Sequence, residues 1–318
     1  MAKTRQPKTD HYQALTDHLV GLLEEALELN DEARWVKPWN APGWAFAPRN
    51  AVTGRFYRGV NFMWLSLDPR NGEDPRWATY KQAQSKGWQV RKGEKGTQVY
   101  LFKPVTFEQE DGQGGTEEKT VPVIRAFTVF HVSQMDGEIP PFESGLEPTV
   151  DPDGDGWVTN PLAEKIIEHS GAEFLTGSAA YYKPADDTIT LPPRETFVSA
   201  DAFYATALHE LAHWTKKEHR VGRRNGVGGG VFGSEQYAKE EVRAEMASAI
   251  LGSLLGLDPY HPEGDHQHVN YLKGWLKAIK QDKYEVRRAA ADAQKIVDWL
   301  VGDLYDEIDP QKEGEEAA

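Results

Sequence analysis

The sequence predicts an α+β chain of two domains, a small α+β domain followed by a mainly helical one. Three observations predict it. Strand-like alternation and turn residues concentrate between residues 89 and 132. Helix-period apolar stripes dominate after residue 159, above all over 199–219 and 234–256. Between these halves, 140–156 is rich in proline and acid and reads as a linker. A chain of 318 residues is long enough for two cores. The expected divisions are 8–140, a linker over 141–158, a second domain over 159–305, and an acidic, disordered tail over 306–318.

Each element has its own signal. Tyr12, Leu15, Leu19, Leu22, Leu23 and Ala26 recur at helical spacing and predict a helix over 10–30. Residues 35–65, rich in Trp, Pro, Gly and Asn, read as irregular, with a short helix near 60–67. A short helix over 79–86 ends at Gly87. Residues 89–90 and 97–103 read as a hairpin around Lys92-Gly-Glu-Lys-Gly96, 109–119 as a polar loop, and 121–132 as an alternating strand. Asp151-Pro-Asp-Gly-Asp-Gly156 imitates the start of a calcium loop, but Leu162 stands where its bidentate carboxylate belongs, so it is read as linker. A helix follows over 160–170, then strands over 179–182 and 188–191 paired around 184–187. The last helices are expected over 265–280 and 283–305, with Trp275, Leu276, Ile279, Ile296, Trp299 and Leu300 in the core.

The chemistry lies in His209-Glu210-Leu211-Ala212-His213, an H-E-x-x-H inside the helix over 199–219. Ser199 is the candidate N-cap, and Phe203, Ala207, Leu208, Leu211 and Trp214 supply the apolar stripe. Spacing of i and i+4 puts both imidazoles on one face, where two ring nitrogens can meet one Zn²⁺. Glu210 is the candidate catalytic residue, a general base for a water at the open position. Zinc in a hydrolase usually keeps three protein ligands. On the helix over 234–256, Glu241 and Glu245 stand four residues apart on a helix whose apolar face is Tyr237, Val242, Met246, Ala249, Ile250 and Leu254. Glu241 is the expected third ligand, and Glu245 the carboxylate that fixes the other N–H of a ligand histidine. The reverse assignment stays open. Glu240 points about one residue around the helix and is the weaker candidate. Tyr237 and His219 are candidate oxyanion stabilisers, set against the plainer reading of packing or surface groups. Six glycines between Arg220 and Gly233 read equally as a lid over the metal or as an ordinary connection. With no cysteine in the chain, zinc or another divalent transition metal must be held by His and carboxylate.

Charge is unevenly spread. Residues 1–140 hold 18 Lys and Arg against 18 Asp and Glu, so the net charge of −14 belongs to 141–318. Within 49–104 there are 11 basic residues against 4 acidic ones, a window that can attract a polyanion. Six of the ten tryptophans fall there or just before it: Trp35, Trp39, Trp44, Trp64, Trp77 and Trp88. Cations along a backbone and flat rings beneath bases suit single-stranded nucleic acid. The plainer reading makes these rings the core of a small domain. No apolar run approaches membrane-spanning length and no apolar segment follows the basic start, so a cytoplasmic chain without a membrane partner is expected.

Linked motifs then carry a resemblance. Trp35-Val-Lys-Pro-Trp39, Asn50-Ala-Val-Thr-Gly-Arg-Phe-Tyr-Arg-Gly-Val-Asn61, Trp77-Ala-Thr-Tyr-Lys-Gln-Ala83, Val90-Arg-Lys-Gly-Glu-Lys-Gly96 and Phe130-His-Val-Ser-Gln134 resemble the N-terminal domain of ArdC-type antirestriction proteins. Ile189-Thr-Leu-Pro192, the His209–Trp214 stretch, Phe232-Gly-Ser234 and Tyr237-Ala-Lys-Glu-Glu-Val-Arg-Ala-Glu245 resemble the zincin-like domain of the same family. The resemblance runs over about residues 10–305, in the same order. It implies a single-stranded-DNA-binding domain joined to a mainly helical, gluzincin-like metallopeptidase domain. Such proteins belong to plasmids, phages and other mobile elements, where they protect incoming DNA from host restriction. The DNA-binding residues expected from these motifs are Trp39, Arg55, Tyr57, Arg58, Trp77, Lys81, Arg91, Lys92 and Lys95. The long acidic linker and the Gly-rich insertion after Arg220 depart from the family pattern. Two rival readings stand beside this one: a stand-alone intracellular zinc metallopeptidase acting on a protein substrate, and a non-catalytic protein that coats single-stranded DNA. Intact ligands permit proteolysis without demonstrating it.

Overall fold

The computed structural model describes residues 10–28, 46–72, 74–110, 116–143, 157–223, 227, 230, 233–257, 276, 277 and 279–308. Trp35, Trp39, Trp44, Phe232, Trp275, the calcium-like stretch, most of the expected linker and most of the tail lie outside them. The architecture is α+β, with a β-rich N-terminal region and a helical C-terminal region.

The first helix, α1 (His11–Glu28), follows the apolar spacing that predicts it. Strand β1 (Arg49–Asn50) precedes α2 (Val60–Ser66), which buries Val60, Phe62, Met63 and Leu65. Strand β2 (Arg76–Thr79) runs directly into α3 (Tyr80–Ser85). Thr79 caps that helix with Gln82: the Thr79 N–H donates to Gln82 Oε1 at 3.0 Å, and Thr79 Oγ1 accepts from the Gln82 N–H at 3.3 Å. Strands β3 (Gln89–Val90), β4 (Thr97–Glu110), β5 (Thr116–His131) and β6 (Met135–Asp136) complete the region.

The main sheet has the order β1-β2-β5-β4, with β1 parallel to β2 and the other pairs antiparallel. Here the structure corrects two expectations. The 89–90 and 97–103 segments do not pair with each other; β3 pairs with β6, and β4 with β5. Gly96 shows why: a Cβ there would press on Thr128 Cγ2 and lie 2.7 Å from the Val129 carbonyl, so the turn delivers the chain tightly onto β5. Residues 109–110 and 116–119 are strand rather than loop, with Gln109 opposite Glu117 and Glu110 opposite Thr116. A two-stranded arm open to water can carry polar residues on both faces, so their polarity does not end the pairing.

In the second half, α4 (Pro161–Ser170) starts at Asn160, whose side chain accepts from the Ala163 N–H at 3.0 Å. Strands β7 (Glu173–Thr176), β8 (Tyr181–Lys183) and β9 (Thr188–Leu191) form a sheet of order β7-β9-β8. The β8–β9 pair meets expectation; β7, too short and polar to announce itself, pairs parallel to β9. Then come α5 (Ala200–Trp214), α6 (Glu235–Leu255) and α7 (Glu285–Val301). Ser199 and Ser234 cap α5 and α6, accepting from Ala202 N and Tyr237 N at 3.1 Å each. The first of these ends at Trp214, short of the expected 219, as the Lys216 N–H turns back to the His213 carbonyl.

The largest core joins Leu208, Leu211, Ile250, Leu251, Ile296 and Leu300 with Leu19 of α1 and Phe62 and Met63 of α2. Each such side chain contributes about 1.5–3 kcal/mol on full burial. Ile279 and Ile296 are buried as expected. Trp299 is not: it is 40% exposed and lies 5.7 Å from the Trp214 ring, because it shares the outer face of α7 with Asp298 and Lys295. The Arg58 Nη2 group meets Asp298 at 2.5 Å and the Gly59 N–H donates to Gln294 Oε1 at 2.8 Å, so α7 also holds the N-terminal region. Among the described residues no helix is long and apolar enough to cross a membrane.

Candidate metal centre and nucleic-acid face

Packing of α5 against α6 brings the predicted ligands together. His209 Nε2 and His213 Nε2 converge to 3.1 Å. Glu241 Oε1 lies 3.3 Å from His213 Nε2, and Glu241 Oε2 lies 3.7 Å from His209 Nε2. Donors about 2.0–2.1 Å from one tetrahedral zinc stand roughly 3.3 Å apart, so this triangle has the size of a single-ion site. The donor set of two imidazoles and one carboxylate fits Zn²⁺ and other divalent transition metals. His209, His213 and Glu241 form the metal site of this protein.

Each ligand imidazole faces a carboxylate on its other nitrogen. His209 Nδ1 is 3.6 Å from Glu245 Oε1, on the side where Glu245 was expected but beyond hydrogen-bond distance. His213 Nδ1 is 3.2 Å from Glu240 Oε1, a residue that sequence reasoning set aside. At about 100° per residue, Tyr237, Glu240, Glu241 and Glu245 span an arc of roughly 140° on α6. One helix face is therefore wide enough for all four, a signal that residue spacing contained. Arg223 Nε donates to Glu240 Oε2 at 2.7 Å; nothing in its glycine-rich surroundings pointed to it.

Electrostatics follow from this crowding. Burial works against charge on His213, but the Glu240 and Glu241 carboxylates outweigh it and push its pKa up to about 10. Burial likewise opposes charge on Glu240, while His213 and Arg223 hold its carboxyl down to about 2. Glu241 is lowered too: burial is outweighed by His213, His209 and a hydrogen bond from Tyr237. Thus Tyr237 sits on a metal-site carboxylate. Glu210 is 8% exposed, on the α5 turn that carries His209 and His213. Lys216, also unforeseen, is half-buried 5.2 Å above the Tyr182 ring. Burial pulls its pKa down, against the pull of Glu240, Glu241 and Glu210. His219 is exposed beyond the end of α5.

The expected DNA-binding residues divide. Trp77 is a correction: it is 0% exposed, and its Nε1–H donates to Asn71 Oδ1 at 3.0 Å, so its ring is core and cannot lie under a base. Trp88 is likewise buried and Trp64 half-buried. Tyr57 packs against the cluster of Leu65, Trp77, Val99 and Val129, and burial pushes its hydroxyl pKa up to about 12. Arg58 is held by Asp298, and Arg91 by Glu94 and Asp136 at 3.1 and 3.3 Å. Lys81, Lys92 and Lys95 are exposed and make no ion pair among the described residues. Arg55 is half-buried near the β1 end of the sheet, its carbonyl accepting from the Asn50 N–H at 2.8 Å. Trp39 lies outside the described residues.

A histidine-bearing helix faced by a carboxylate-bearing helix, beside a small sheet, defines a zincin-like metal-binding domain, here preceded by a β-rich region. Residues 161–292 match the family of zincin-like metallopeptidases, and residues 9–130 match the N-terminal domain of the anti-restriction factor ArdC. The chain belongs to the ArdC antirestriction family. The metal-free crystal structure of the antirestriction ArdC protein from plasmid R388 is 34% identical, covering 92% of this chain and 97% of that one with a TM-score of 0.69. Its Mn(II)-bound structure is 32% identical over the same shares, with a TM-score of 0.68. Two Escherichia coli DNA primases named TraC are 41% and 40% identical over 93% and 98% of this chain. The chain spans only 20% and 28% of their lengths. The protein y4eC of Sinorhizobium fredii (strain NBRC 101917 / NGR234) is 33% identical, with 94% of each chain covered.

Proposed function

We propose that this chain is an antirestriction protein of a mobile element, a plasmid or phage, that binds single-stranded DNA through its β-rich region. Its helical region carries a zinc metallopeptidase-like centre. The observation that carries the second half is the convergence of His209, His213 and Glu241 on one point. Family membership supports the first half, as does the similarity of this chain to a segment of two DNA primases. Lys81, Lys92 and Lys95, exposed and without an ion pair among the described residues, are the phosphate contacts this reading favours.

A bound Zn²⁺ would supply Lewis acidity toward a peptide carbonyl and acidify a water beside it. The chain's own residues would do the rest. His209 and His213 hold their Nε2 atoms toward the site with Glu241, and Glu245 orients His209 from behind. Glu210 accepts the water's proton and returns it to the leaving amine nitrogen. Tyr237, bonded to Glu241 here, is the side chain this reading assigns to a developing oxyanion. Burial of His213 and Glu241 favours a second reading, in which the centre braces the fold and coating alone protects DNA.

Fluorescence anisotropy with labelled single- and double-stranded oligonucleotides, at two salt concentrations, tests the DNA reading. Preferential single-strand binding that weakens with salt, with a slope of about −0.7 per neutralised phosphate, is expected. Equal and negligible binding to both would leave a metallopeptidase acting on a protein substrate as the better account.

A further inference from the structure

Arg223 is a cation almost without solvent: its side chain is 2% exposed, beside Glu240 at 3%. An arginine offers five N–H groups, and here five contacts receive them. Its Nε donates to Glu240 Oε2 at 2.7 Å. Nη2 donates to Glu240 Oε1 at 2.9 Å and to the Ala212 carbonyl at 2.8 Å. Nη1 donates to the Gly222 carbonyl at 2.9 Å and to Thr215 Oγ1 at 3.2 Å. One side chain thereby ties the last turn of α5, the start of α6 and the chain leaving α5.

Bracing alone does not account for such a pair. Desolvating two charges is costly, and apolar side chains of similar volume hold helices together at least as well. What the charged pair adds is a fixed, ionised acceptor, Glu240 Oε1, 3.2 Å from His213 Nδ1. When the imidazole is neutral, an acceptor there keeps its proton on Nδ1 and leaves Nε2, which faces His209 and Glu241, as the nitrogen with the free lone pair. We propose that Arg223 is a positioning residue of the metal centre, setting the tautomer and orientation of His213 through Glu240. The same contacts explain why Glu240, next to Glu241 in sequence, stays out of the ligand set: Arg223 holds both of its oxygens. This role rests on the His209–His213–Glu241 site and not on whether that site cleaves peptide.

The test is the Zn²⁺ affinity of the full metal-free chain, measured by competition with a chromophoric chelator. The variants are Arg223→Gln, Arg223→Lys, Glu240→Gln and the Arg223→Gln/Glu240→Gln double, each with its metal-free melting temperature. Arg223→Gln and Glu240→Gln should each weaken Zn²⁺ binding by about 10–100-fold, and Arg223→Lys by less. The double variant should bind no more weakly than Glu240→Gln alone, because the arginine acts through that carboxylate. A bracing residue would lower the metal-free melting temperature and leave affinity unchanged in the folded chain. That result, or losses that add in the double variant, overturns the proposal. If Arg223→Gln does not fold, wild-type affinity in Glu240→Gln overturns it equally. Failure of the unaltered chain to take up Zn²⁺ would instead remove the metal site, and this role with it.

Discussion

Replacing Glu210 with glutamine keeps the side chain's shape and removes only its basicity. In the proposed peptidase chemistry this change should lower turnover by about 10²–10⁴-fold or more while metal stays bound. Undiminished proteolysis in a metal-loaded Glu210→Gln protein would exclude the mechanism; undiminished DNA protection in it would favour coating. The neighbouring ion pair makes a separate prediction for the metal-free chain. Glu240 titrates at about 2, below its ordinary 4.5, so its share of stability is present above pH 4.5 and is lost as pH falls toward 2. His213 titrates at about 10, above its ordinary 6.5, so its share is present below pH 6.5 and is lost as pH rises through 10. Both describe largely one interaction and are counted once. Stability from this cluster should therefore be fullest between pH 4.5 and 6.5. Melting curves recorded in chelator should show it decline on the alkaline side; a steady rise there would contradict the assignment. Metal reverses the alkaline trend, since binding releases a proton from the imidazoles and tightens as pH rises.

Helix α6 brings Tyr237, Glu240, Glu241 and Glu245 to the centre, and its start depends on a close backbone approach. A Cβ on Gly230 would lie 2.5 Å from both Ser234 Oγ and the Tyr237 nitrogen. Gly230→Ala should therefore disturb the cap that Ser234 makes, at about 1 kcal/mol, as Ser234→Ala should. The two losses should not add, because they remove one cap; additive losses in thermal unfolding would place Gly230's role elsewhere. The Ser199 cap, the helix starts near 160 and 234 and the His209–His213 spacing were legible in the sequence, because each acts within a few residues, where periodicity and capping chemistry reach. Less legible was what depends on how elements cross. β3 finds β6 and not β4, and Glu240 finds His213, through contacts that no local pattern encodes. Trp77 shows the limit of composition: an indole reads the same in a core or beneath a base, and only its bond to Asn71 decides.

The cations between residues 49 and 104 form two populations across the molecule. Arg58 and Arg91 are held by acidic partners, whereas Lys81, Lys92 and Lys95 are exposed and make no ion pair among the described residues. A Lys81→Ala/Lys92→Ala/Lys95→Ala chain should melt like the unaltered one but bind single-stranded DNA with a flatter salt dependence, by about 0.7 per lost phosphate contact. Arg58→Ala should cost stability instead, and no more than about 1 kcal/mol, since its pair with Asp298 is half-exposed. An unaltered salt slope in the triple variant would move the DNA path off this face.

Helix α7 gives that arrangement a further consequence. It receives Arg243 of α6 through Glu285 and Asp292 at 2.8 and 2.9 Å, and Arg58 and Gly59 through Asp298 and Gln294. The zincin-like match ends at residue 292, inside this helix, before Ile296, Val297 and Leu300 enter the core. A gene fragment cut at either matched boundary would strip apolar surface from its other half. The two E. coli primases match nearly all of this chain within far longer proteins. A cut that keeps residues 10–308 together leaves this core closed; a cut between the halves opens it.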